Sequence, residues 1–128
     1  MTKKLLTTVA LVAVLALPLA GLVRGQEHEH EQEGEISAKG EILDMACFLS
    51  HGSKGEDHAS CATRCVKGGQ PMGFLTEEGT VYLLFASHTD GSPFEEAKSF
   101  AGKKAEVKGS VSSKDGFKAI EVHSVKPL

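Results

Sequence analysis

The chain has 128 residues, 14 Lys plus Arg against 17 Asp plus Glu, no Trp and a single Tyr. That length allows one domain with a modest core. The acidic balance and the lack of stacking aromatics exclude a phosphate-backbone or base-stacking surface, so no nucleic-acid partner is expected.

Lys3 and Lys4 precede an almost wholly apolar run from Leu5 to Leu19, broken by Thr7, Thr8 and Pro18. The run is shorter than the roughly 20 residues of a membrane span and has the form of a signal-peptide core. A cut before Gln26 would follow Val23-Arg24-Gly25; a cut after Ala20 is the alternative. No cysteine lies near the run to carry a lipid. Residues 1–25 therefore read as a signal peptide, and the mature chain as periplasmic or secreted, with no stable membrane span after cleavage. Residues 1–25 hold Lys3, Lys4 and Arg24 and no acid, which leaves 11 basic against 17 acidic residues in the remaining chain, a net charge of −6.

Residues 26–35 alternate Glu with Gln, His and Gly and contain nothing that can enter a core. They are expected to form a disordered acidic leader. Its His28 and His30 offer only weak metal contacts. The folded domain is expected over 36–128.

Ile36, Ala38, Gly40 and Ile42 alternate with polar residues and predict a half-buried strand to Leu43. A Cys/His-rich insertion follows, over 44–69. Asp44 is expected to cap one short helix that stops at Gly52, and Asp57 a second that stops at Gly68. Met72–Thr76 and Thr80–Phe85, joined by Glu77-Glu78-Gly79, predict a hairpin. Ser92-Pro93-Phe94-Glu95 predicts a helix opened by a capping box, with Phe94, Ala97 and Phe100 or Ala101 on one face and a stop at Gly102. Lys103–Ser112 places Ala105, Val107, Gly109 and Val111 on one side. Asp115-Gly116 is a turn signal, and Phe117–Val125 alternates through Phe117, Ala119 or Ile120, Val122 and Val125.

Five short strands with a helix between the third and fourth follow the element order of an OB-fold barrel. The fold class expected is mainly β: a five-stranded OB-fold-like barrel with a short helical Cys/His-rich insertion. The stretch Ala101-Gly102-Lys103-Lys104-Ala105-Glu106-Val107-Lys108-Gly109, followed by Gly116-Phe117-Lys118-Ala119-Ile120-Glu121-Val122, resembles the last hairpin of small exported OB-fold proteins. The resemblance spans roughly 36–125. Asp44-Met45-Ala46-Cys47 through Gly69-Gln70-Pro71 is similar to small periplasmic proteins of uncharacterised function. It implies a fold and no activity.

The chemistry lies in the insertion. Cys47 and His51 are four residues apart, Cys61 and Cys65 are four apart, and His58 is three before Cys61. On helices these separations place side chains on one face. Two such helices facing each other would supply three sulfurs and an imidazole, a tetrahedral set for zinc. Cys47, His51, Cys61 and Cys65 are the first ligand set, with His58 in reserve if His51 points away. Thiolates also suit Cu(I), and Met45 or Met72 pointing inward would favour copper. The same cysteines admit a disulfide from Cys47 to Cys61 or Cys65, with one thiol left free, in a ligand- or protein-binding module without metal. They also admit buried inert thiols, or a redox protein whose odd cysteine reacts.

Cys61-Ala62-Thr63-Arg64-Cys65-Val66 lacks the spacing and the histidine of covalent haem attachment. Gly68-Gly69-Gln70-Pro71 is not followed by Lys and Ser or Thr, so no nucleotide loop is present. Ser87, His88 and Asp90 crowd into one turn, and His123 reads as a solvent-facing strand residue. No separated acid/base pair or nucleophile-and-base set can be read off, so hydrolase or transferase catalysis has no support. The partners implied are a metal ion and another exported protein.

Overall fold

A computed structural model describes residues 34–128. The expected signal peptide, and the leader up to residue 33, lie outside the described residues. Strand β1 spans Gly34–Asp44, starting two residues before the expected Ile36. Gly34 and Glu35 belong to it because they continue the ladder opposite Val111 and Ser110.

The chain then forms α1 (Met45–His51), a 3₁₀ turn (Glu56–His58), α2 (Ala59–Lys67), β2 (Met72–Thr76) and β3 (Val81–Ala86). Helix α3 (Ser92–Ala97), a 3₁₀ turn (Lys98–Phe100), β4 (Lys104–Lys114) and β5 (Phe117–Pro127) complete it. The strands close in the order β1-β2-β3-β5-β4. The long β1 makes closure possible: its second half pairs with β2, and most of its length pairs with β4. Only β3 and β5 run parallel. This is an OB-fold-like barrel, with the helical insertion after β1 and a helix between β3 and β4.

The inward residues of β1, β4 and β5 are, Phe117 apart, those the alternation selected, and the apolar runs of β2 and β3 add Phe74 and Leu84. Ile42, Phe74, Leu84, Ala105, Val107, Ile120 and Val122 are buried together, with Ala97 and Ala101 beside them and Phe94 and Phe100 packed against them. In β5 the alternation breaks after Val122. Val122 sits opposite Gly109, whereas Ser124 sits opposite Lys108, so His123 is the extra residue of a β-bulge. The bulge lets Val122 and Val125 face the same interior across an odd spacing. A β-carbon on Gly109 would run into the Glu121 carbonyl, so the barrel corner requires glycine there. Phe117, expected inward, is 74% exposed. It lies at the hairpin tip, beyond the last rung that β1 makes with β4 at Gly34 and Val111.

Two expected caps are replaced. Ser92 is the first residue of α3 rather than its cap, and the Ser92 amide donates to the Asp90 carboxylate at 2.9 Å. Asp57 does not cap α2; it sits inside the 3₁₀ turn that leads into that helix. Asp44 does cap α1, and Gly52 ends it in the left-handed conformation.

The insertion is fastened at its neck and at its far helix. At the neck Asp44 pairs with Met72, and the Met45 amide donates to the Pro71 carbonyl at 3.0 Å. The Gly55 amide donates to the Glu41 carboxylate, pinning the inter-helix loop to β1. Helix α2 turns Ala59, Ala62 and Val66 inward, and Ala62 and Val66 join the barrel core. It packs so closely on Gly102, at φ +77°, that a β-carbon there would collide with the Ala59 backbone. Helix α1, by contrast, buries none of its residues.

Candidate metal centre

Because Ala62 and Val66 are drawn into the core, α2 has a fixed rotation. Cys61 and Cys65 are one residue behind the apolar stripe, so both lie half-buried at its edge, one turn apart. Helix α1 starts directly from the end of β1 and brings Cys47 to the same place. The three Sγ atoms lie within 4.8 Å of one another. All three cysteines are free thiols. Three atoms at most 4.8 Å apart leave a centre about 2.8 Å or less from each. Closing onto Zn–S bonds near 2.3 Å would take about half an ångström.

A second group overlaps the first. Carboxylate, sulfur and imidazole donors of Asp44, Cys47 and His58 also lie within 4.8 Å of one another. His58 ends the 3₁₀ turn, which its amide closes on the Gly55 carbonyl at 3.0 Å. His51 lies in neither group. It is exposed at the last position of α1, four residues beyond Cys47 and so about 6 Å along the helix axis. The two helices therefore meet at the start of α1. Of the histidines weighed on spacing, His58 is the one the structure brings beside Cys47.

Asp44 is the member that spacing arguments missed. As the α1 cap its Oδ1 accepts from the Ala46 amide at 3.0 Å and the Cys47 amide at 3.4 Å. Its other oxygen, Oδ2, is buried without a hydrogen-bond partner, and so is His58 Nε2. Asp44 is 1% exposed. An unpartnered buried carboxylate oxygen is costly. A signal for it was present in the sequence: a cap residue lies three before Cys47, on the same side of the first turn.

The charges are coupled. Burial pushes the Asp44 carboxyl up, but the Cys47 thiol and amide, the Cys65 thiol and the Ala46 amide outweigh it and hold the group below its ordinary value. The thiols answer in the opposite sense. Proximity to the Asp44 carboxylate, then burial and the neighbouring sulfurs, raise Cys47 to about 11. Burial first, then Asp44 and Cys61, raise Cys65. Without metal the Asp44 carboxylate sits beside the Cys47 and Cys65 thiols, both held toward their protonated form.

Both methionines are engaged elsewhere. Met72 is buried in the barrel core. The Met45 side chain packs over Gly73, where a β-carbon would collide with its sulfur. With Leu49, Val81, Leu83 and Phe117 it lines an open apolar groove of about 400 Å³. Ser87, Thr89 and Asp90 bond within their own loop, as a turn does. No helix among the described residues is long and apolar enough to cross a membrane.

No family model matches this chain, and neither the curated proteins nor the solved structures yielded a match.

Proposed function

We propose that this chain is an exported soft-metal-binding module, in which Cys47, Cys61 and Cys65 hold the ion as thiolates and His58 is the nearest nitrogen donor. The observation that carries the reading is the convergence of three free thiols, within 4.8 Å of one another, beside an imidazole and a carboxylate that have buried, unpartnered atoms. Sulfur, nitrogen and oxygen donors together suit Zn²⁺, which accepts all three. Cu(I) prefers an all-sulfur set, and the two methionines that would have extended one pack elsewhere. The half-exposed cysteines leave the ion within reach of solvent, as a binding or carrier role requires. A redox role would need a thiol with a depressed pKa, and Cys47 is displaced the other way.

The deciding experiment is elemental analysis of the mature protein, purified without chelator or affinity tag, together with thiol titration under denaturing conditions. The expected result is bound zinc with three titratable thiols, and a lower zinc content in Cys61→Ser. Copper in place of zinc would correct the ion. A metal-free protein with one thiol would refute the site and favour a disulfide-stapled binding module.

A further inference from the structure

We propose that the centre takes two zinc-class ions rather than one, bridged by the Cys47 thiolate; this rests on the metal-binding reading above. The donors do not form one tetrahedron. They form two triads that share a single member: Cys47, Cys61 and Cys65 in one, and Asp44, Cys47 and His58 in the other. A thiolate sulfur has lone pairs enough to serve two ions, and Cys47 is the residue common to both.

The second triad carries its own evidence of a ligand. Asp44 Oδ2 and His58 Nε2 are the buried side-chain atoms left without hydrogen-bond partners among the described residues, and both belong to this triad. A mononuclear site using only the three sulfurs would leave both atoms unsatisfied. A cation held by Asp44, Cys47 and His58 would give both residues the partner they lack.

Charge balance points the same way. Three thiolates and the Asp44 carboxylate carry four negative charges, with His58 neutral as a ligand. One divalent ion would leave two of these uncompensated in a partly buried cluster, whereas two ions neutralise it. Each thiol gives up its proton to solvent as it binds. Each triad supplies three protein donors and leaves one coordination position for solvent; the sulfur triad has no fully buried member, which makes its ion the more exchangeable one. The Asp44–Cys47–His58 ion sits against a residue that is 1% exposed and is the retained one.

The test is native mass spectrometry and elemental analysis of the full chain, stripped of metal, reloaded anaerobically with Zn²⁺ and desalted. Wild type should retain two zinc ions. His58→Gln should retain one and keep its circular dichroism spectrum, and Asp44→Asn should behave likewise. One zinc in wild type would overturn the binuclear centre and leave the metal-binding reading standing. Two zincs in His58→Gln would also overturn it, because the second ion would then lie elsewhere, for instance on His28 and His30. No zinc in wild type would overturn both readings.

Discussion

Stripping the metal should loosen the insertion in a definite order. Helix α1 has seven residues and buries none of them. An isolated helix needs about 12–15 residues to be even marginally stable in water. What holds α1 is its Asp44 cap, the Met45 contact over Gly73 and, on the reading proposed, the metal bond through Cys47. Helix α2 is held independently by Ala62 and Val66 in the core, where burying a valine side chain alone is worth about 1.5–3 kcal/mol. Zinc at a free concentration 100 times its Kd stabilises the native state by about 2.7 kcal/mol. For a domain of this size that corresponds to roughly 10–20 °C in Tm. Chelation should therefore lower Tm by about that amount. Before global melting, amide hydrogen exchange should show lost protection at residues 48–51 of α1, with strands β1, β4 and β5 still protected. An unchanged Tm, or loss of protection in α1 and the barrel strands together, would refute the claim that metal and cap hold α1 to a barrel that stands without them.

The two roles of Asp44 separate by substitution. Asp44→Asn keeps a capping oxygen, so the metal-free protein should melt within a few degrees of wild type, while zinc affinity falls about 10–100-fold. Asp44→Ala should lose the cap as well, at about 1 kcal/mol; equal zinc affinity in wild type and the Asp44→Asn variant would reduce Asp44 to a cap. Gly102→Ala puts a β-carbon into the Ala59 backbone at a φ of +77° and should weaken zinc binding by displacing α2, measurable by competition with a chromophoric chelator. His51→Ala should leave zinc stoichiometry and affinity unchanged, since His51 is exposed and outside both donor groups. Zinc binding should tighten as pH rises from about 6 to about 9, releasing about two protons or more, because Cys47 and Cys65 are held protonated. Calorimetry in buffers of different ionisation heat reads that number, and pH-independent uptake would contradict it. In the metal-free protein a raised Cys47 stabilises the fold fully below the thiol's ordinary 9.0 and ceases to as pH climbs through about 11, so the alkaline loss of stability should shrink in Cys47→Ala.

The barrel was legible because its information is periodic. Ile36, Ala38, Gly40 and Ile42, or Ala105, Val107 and Gly109, each declare a face by alternation, and any residue out of phase has a nearby cause: the bulge at His123, or the hairpin tip at Phe117. The caps were less legible. A cap depends on which of several adjacent polar groups reaches an amide, and Asp90 and the Glu56–His58 turn took over from Ser92 and Asp57. The candidate metal centre mixes the two kinds of information. Cys61 and Cys65 could be paired from spacing, because both sit on one helix whose apolar stripe fixes its rotation. The residue that completes the pair depends on where α2 crosses α1, and no periodicity within either helix records that. The Met45–Pro71 bond, the Glu41–Gly55 contact and the close approach at Gly102 set the crossing, and they place it at the first turn of α1. At that turn Asp44 and His58 are within reach and His51 is a full turn away. Spacing thus pointed to the element and the three cysteines that converge; three tertiary contacts outside the cluster decide which imidazole and which carboxylate lie beside them.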